Sequence, residues 1–192
     1  MAWSRLETAI IRAAIETSEL RRELESKVDE AGETLRLLRS GSFQVQRPRE
    51  ADFLAVQLGS ACRNAQAGVA IFELLLNAVE HGNLGIDYEE KGRLVAERRL
   101  GDEIRRRLEL PNYHDLWARI DLERKDDEFQ LVITDQGKGF DFARYLRFDE
   151  ARWFDTHGRG ILMANGVVEI EYVAPGNRVR VSVAVRSTAA GE

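Results

Sequence analysis

The sequence predicts an α+β fold, helices covering one face of a sheet behind a long N-terminal helix, and three observations carry that prediction. Residues 1–40 hold an apolar seam of helical period, residues 49–110 are helical in pattern, and residues 116–185 contain two pairs of alternating runs joined by turn residues. The 192-residue chain carries 28 Lys+Arg against 33 Asp+Glu, a net charge of −5, with 44% hydrophobic and 32% charged residues. Such a composition suits a soluble, folded chain of one full domain plus an additional element. Apolar runs are only a few residues long, against the ~18 that a membrane span needs, so no membrane association is expected. The N-terminus MAWSRLETAI lacks a basic region, apolar core and cleavage site, which makes the cytoplasm the expected location. An acidic balance argues against nucleic-acid binding. The single cysteine, Cys62, has no disulfide partner and no zinc-ligand neighbours, and reads as a small helix-face hydrophobe.

The seam runs through Leu6, Ile10, Ala13, Thr17, Leu20, Leu24, Val28, Ala31, Leu35 and Leu38 in steps of four and three. This heptad spacing predicts a coiled-coil helix over residues 3–39, with a stutter where two four-steps meet at Leu24. An apolar stripe of this length needs a partner, whether a second copy, the main domain or another chain, and self-pairing into a homodimer is the favoured reading. Gly41 and Ser42 should end this helix, and residues 43–46 alternate as a short strand. Helices are expected at 49–64 and 66–81, the second ending at His81-Gly82, then one or two surface helices in 88–110 broken near Gly101. In that stretch Arg98, Arg99 and Arg105 to Arg107 read as a solvated face. Strands 116–122 and 128–134 form a hairpin, 159–166 a short helix, and 167–173 with 179–185 a second hairpin around Pro175-Gly176-Asn177. The expected organisation is an N-terminal helix (1–40), a main domain (41–187) with a helical insert at about 84–115, and a loose tail (188–192).

Three pieces carry chemistry. In ELLLNAVEHGN, residues 73–83, Glu73, Asn77 and His81 are spaced by four and would share one helix face. A polar stripe on an apolar helix costs free energy unless something pairs with it. The amide oxygen of Asn77 suits a hard cation such as Mg²⁺, and Glu73 one turn earlier suits a base. In TDQGKGFD, residues 134–141, Asp135 closes a strand, and Gly137 and Gly139 allow backbone to approach a flat ligand that donates to the carboxylate. In HGRGI, residues 157–161, glycines open a helix whose unpaired N–H groups, with Arg159, suit an anion. Each piece alone also fits a structural role: helix-face hydrogen bonding, a turn, and a helix cap.

Their order and spacing resemble the N, G1 and G2 boxes of the GHKL ATPase superfamily, and NAVEHGN, DQGKGFDF and HGRGILMA look most like the anti-sigma-factor serine kinase type. The resemblance covers about residues 43–186. It implies a Bergerat-type two-layer α/β sandwich, helices on a mixed sheet, with ATP between the layers. By position it makes Asn77 the Mg²⁺ ligand and Glu73 the general base. It makes Asp135 the acceptor from the adenine amino group, with Gly137 and Gly139 shaping the purine slot. His81, Phe140, Gly158, Arg159, Gly160 and Ile161 also fall at the nucleotide, residues 141–157 form the lid, and Ser182 comes near adenine. The implied activity is a serine/threonine protein kinase using ATP and Mg²⁺ in bacterial regulatory signalling. Its expected partner is a regulatory protein substrate, such as an anti-sigma antagonist, or a sigma factor.

Two further readings stand beside it. One is an ATP-controlled partner-binding module, or a detached histidine-kinase-like catalytic domain; the only histidines are His81, His114 and His157, so no phosphoacceptor His precedes the domain. The other is a structural coiled-coil dimer with a vestigial site. Self-pairing through residues 3–39 predicts a dimer by light scattering at protein concentrations of tens of micromolar, an order-of-magnitude range for weak association.

Overall fold

The structure, a computed structural model, describes residues 30, 32–140, 142 and 167–185. The expected N-terminal seam positions up to Ala31, most of the lid, the 159–166 helix and the tail lie outside the described residues. Elements run in the order β1 (Ser40–Val45), α1 (Pro48–Ala61), α2 (Ala65–Asn77), a π-helical turn (Ala78–Asn83), α3 (Tyr88–Ala96), α4 (Leu100–Leu108), β2 (Ala118–Lys125), β3 (Glu128–Thr134), β4 (Glu169–Val173) and β5 (Arg178–Ala184). Among the described residues no helix is long and apolar enough to cross a membrane.

The five strands form one sheet in the order β1-β2-β3-β5-β4. Every described pairing is antiparallel, which corrects the expected mixed sheet to an antiparallel one. The cause is local: β2–β3 and β4–β5 are joined by tight hairpins, which can only pair neighbours antiparallel. Alternation then sorts the faces. Ile120 and Leu122 of β2, Phe129, Leu131 and Ile133 of β3, and Val179, Val181 and Val183 of β5 are buried in one core with Leu58 of α1 and Ile71, Leu74 and Leu75 of α2. Ser182 takes the opposite phase and shares a polar groove with Gln130, Glu169, Glu171 and Arg180 on the outer face. The suggestion that Ser182 comes near a nucleotide between the layers is therefore corrected by strand phase.

The helix boundaries follow from caps. Pro48 occupies the first turn of α1, and the Glu50 carboxylate accepts from the Gln46 and Arg47 backbone N–H groups at 2.8 and 3.1 Å. The Asn64 side chain accepts from Ala67 N at 3.2 Å to open α2, and Asp87 accepts from Glu90 N at 2.8 Å to open α3. Two helices end in Schellman motifs with arginine in the left-handed position usually given to glycine. In α1, Arg63 (φ 51) follows the cap, with Arg63 N donating to Ser60 O and Asn64 N to Gly59 O, both at 2.9 Å. In α3, Arg98 (φ 58) does the same, with Arg98 N donating to Val95 O at 3.0 Å and Arg99 N to Leu94 O at 2.8 Å. The break expected at Gly101 thus falls three residues earlier, and Gly101 sits inside the first turn of α4.

The expected helix end at Gly41-Ser42 is also displaced, because both residues belong to β1, in register with Leu122 and Asp121. Before β1, residues 32–37 are helical. Gly32 is buried against Ser60 and Ala61, and Leu35 and Leu38 pack on the domain core. The last two positions of the seam are thus used by this domain. Cys62 is fully buried, and burial pushes its thiol up to about 12, so it acts as an inert apolar group.

Arg107 departs from the expected solvated face. It is 9% exposed and donates to Leu84 O and to Glu103, each at 2.7 Å, while also pairing with Glu90. Arg106 and Arg107 together hold the Glu103 carboxyl down at about 2. One guanidinium thereby ties α3 and α4 to the end of the π-helical turn. Arg107→Ala should lower stability by about 2–4 kcal/mol, because the Leu84 carbonyl and the Glu90 carboxylate lose this partner and Glu103 is left with Arg106. The check is urea unfolding followed by circular dichroism, with Arg107→Lys recovering only part of the loss.

Candidate functional site

The site is built where α2 runs out. Its α-helical register holds through Asn77, so Glu73 and Asn77, both half-buried, stay one turn apart. From Ala78 the chain widens into the π-helical turn, closed by Leu84 N donating to Val79 O at 2.9 Å, a five-residue step. His81 therefore leaves the α-helical spacing that would have stacked it above Asn77. Its Nδ1 meets the Ile86 carbonyl, which can only accept, so Nδ1 carries the proton. Burial lowers the His81 pKa and keeps the ring neutral at pH 7. In the same turn Glu80 is 2% exposed, with Lys91 of α3 at 2.6 Å from its carboxylate.

The loop after β3 closes against this turn. A methyl group on Gly82 would overlap the Asp135 carboxylate, and one on Gly137 would overlap the Gly82 carbonyl; backbone meets backbone only because both side chains are hydrogen. Asn83, 4% exposed, accepts from Gln136 N through Oδ1 at 2.8 Å. Gln136 Oε1 in turn accepts from Trp117 N at 2.9 Å. On the other side, Asp135 N donates to Asn177 O at 3.0 Å and Asn177 Nδ2 donates to Asp135 O at 3.1 Å. Gly139, at φ +78, and Gly176, at φ +106, let the loop and the β4–β5 turn touch where any side chain would strike Pro175 O or Phe140 O.

These contacts hold one carboxylate in a half-buried slot. Oδ1 of Asp135 accepts from Gly137 N at 2.8 Å, which leaves capacity on Oδ2. Burial pushes the carboxyl up to about 6, with the Gly137 N–H pulling it back. Tyr172 is close enough for Asp135 to add to the upward shift that burial gives its hydroxyl. The Tyr172 ring stacks on Phe142 at 5.4 Å and 17°, and meets Phe140 edge-on at 5.3 Å. Phe140, expected at a nucleotide, is 37% exposed on this aromatic cluster.

A narrow slot with a charged acceptor, walls of glycine and a neighbouring aromatic cluster suits a flat, amino-bearing heterocycle. No group of three or more His, Cys, Asp or Glu among the described residues gathers as a metal cage. Gly158, Arg159, Gly160 and Ile161 lie outside the described residues. The larger apolar grooves, about 540 and 880 Å³, are lined by neither Glu73, Asn77 nor Asp135.

Sequence reasoning did not assign Gly82, Asn83, Asn177 or Tyr172. Gly82-Asn83 closes the same NAVEHGN stretch that holds Asn77, but the burial of the Asn83 amide shows only in the structure. Asn177 read only as a turn residue.

Residues 49–183 match the family model described as histidine kinase-like ATPase domain, and no match is found among curated proteins. That match implies ATP binding, and it spans both the Glu73–Asn77 helix and the Asp135 loop. With well over half of its length matched, the chain belongs to the histidine kinase-like ATPase domain family.

Proposed function

We propose that the protein is an ATP- and Mg²⁺-dependent protein serine/threonine kinase of the anti-sigma-factor type, working in the cytoplasm within a bacterial regulatory switch. The observation that carries the nucleotide half of this reading is the Asp135 carboxylate, half-buried against Gly82 and Gly137 with Oδ1 accepting from Gly137 N, which leaves Oδ2 with acceptor capacity. That oxygen would accept from the exocyclic amino group of adenine. Asn77, at the end of α2, would lend its amide oxygen to magnesium, which when bound offsets phosphate charge. Glu73, one turn back, would orient and deprotonate the protein hydroxyl that attacks the terminal phosphate. Positioning and charge stabilisation supply the rate, as in other phosphoryl transfers. The acceptor would be a regulatory protein, an anti-sigma antagonist being the first candidate, and a sigma factor a binding partner.

A second reading, an ATP-controlled docking module with little turnover, draws support from the insert. Arg107 holds the Leu84 carbonyl and Lys91 holds Glu80, so a partner bound on α3 or α4 would pull on the turn that follows Asn77. Glu73→Gln separates the two. On the kinase reading it should lower phosphotransfer by at least about 10²-fold while leaving ATP affinity within a few-fold, the size of a lost general base; undiminished transfer would favour the docking module.

Asp135 also sets a pH dependence. An amino donor is held more strongly by the ionised carboxylate than by the acid, so ATP affinity should be flat above about pH 7 and weaken as pH falls through about 6. Burial holds the Asp135 carboxyl above the ordinary range of an aspartate, so ionising it costs stability as pH rises from about 4 through 6. Asp135→Asn should therefore abolish ATP binding in titration calorimetry yet melt no lower than wild type at pH 7. A variant that binds ATP normally would overturn the assignment.

A further inference from the structure

We propose that Asn83 is a positioning residue for base recognition, whose buried amide sets where the Asp135 carboxylate stands. The inference rests on the reading of the slot as an adenine site. Asn83 is the last residue of the π-helical turn and is 4% exposed. Its Oδ1 accepts from Gln136 N at 2.8 Å, the peptide directly after Asp135. From there Gln136 Oε1 reaches Trp117 N at 2.9 Å, just ahead of β2. Two amides in relay, Asn83 and Gln136, thus join three chain segments, the turn after Asn77, the Asp135 loop and the lead into β2. The other flank of Asp135 is held by Asn177, through its backbone carbonyl and side-chain amide.

Among the described residues, no other side-chain hydrogen bond ties the turn to the backbone of the Asp135 loop. Gly82 and Gly137 bring the turn and loop into contact but offer no side chain to fix their lateral position. Asn83 Nδ2 is buried with no hydrogen-bond partner among the described residues. A buried amide that leaves its donor idle is a poor choice for stability alone. Its retained value is the acceptor on Gln136 N, at a place where an apolar residue would strand that N–H and let the loop slide. Because Asp135 would distinguish a purine bearing an amino group at the six position from one bearing a carbonyl, a shifted Asp135 should blur that distinction before it abolishes binding.

The experiment measures ATP and GTP affinities by calorimetry for wild type, Asn83→Ala and Asn83→Asp, together with ligand-free amide hydrogen exchange at Gln136 and Gly137. Asn83→Asp keeps the acceptor oxygen and serves as the conservative variant. The expected result is that Asn83→Ala loses at least tenfold of the preference for ATP over GTP and exchanges faster at Gln136, while Asn83→Asp retains most of both. A general loss of stability would weaken both nucleotides alike and leave their ratio unchanged. Wild-type preference and wild-type exchange in Asn83→Ala would overturn the proposal. Should wild type itself fail to prefer ATP, the adenine reading falls, and the proposal for base recognition falls with it. Exchange at Gln136 would then still report whether Asn83 ties turn to loop.

Discussion

The contact between the π-helical turn and the Asp135 loop is the constraint on which the site depends. An α-helix cannot present its backbone carbonyl to a neighbouring loop without leaving its own hydrogen-bond ladder. The five-residue step at Leu84 does this while still pairing Val79 O. The gain is a short stretch where Gly82 and Gly137 touch, with Asp135 lying against the bare face of Gly82. The cost is a carboxylate partly withdrawn from water and raised to about 6. A protein selected for stability alone would place an amide or a small apolar residue there.

The sheet makes that contact reproducible. β3 lies between β2 and β5, so the residue that leaves its end is held by pairing on both sides. Thr134 is opposite Arg119 on one flank and Arg178 on the other. Asp135 follows immediately and is caught by Asn177 from the β4–β5 turn. A slip of one residue in either pairing would turn the Ile133 side chain out of the core. The core thereby sets the position of a polar group just beyond the end of β3.

The helices between the π-helical turn and β2 are bound to the site more closely than a surface decoration would be. Lys91 faces the buried Glu80 carboxylate, and Arg107 caps the Leu84 carbonyl while holding Glu90 and Glu103. Buried ion pairs of this kind add little net stability compared with apolar packing, but they fix geometry, since breaking either one strands a charge. The turn after Asn77 is thus clamped from the loop side by Asn83 and from the insert side by two cations.

The helix-to-strand order, the hairpins at Asp126 and Gly176, and Glu73, Asn77 and Asp135 as the polar residues at issue were all legible in the sequence, because period and local turn chemistry act over a few residues. Tertiary structure decided the rest. Arg63 and Arg98 end helices in the left-handed region, a role that sequence assigns to glycine and that only packing after the helix makes affordable. Arg107 is buried because acceptors from three separate stretches of chain converge on it. The α-helical spacing from Glu73 through His81 stops at Asn77 because the turn widens to meet a loop more than fifty residues further on. Asn83 finds Gln136 there, and Asn177 finds Asp135, through contacts that no local pattern encodes. Residue type and spacing determine which groups are available for chemistry; the long-range closure of loop on turn decides which of them meet.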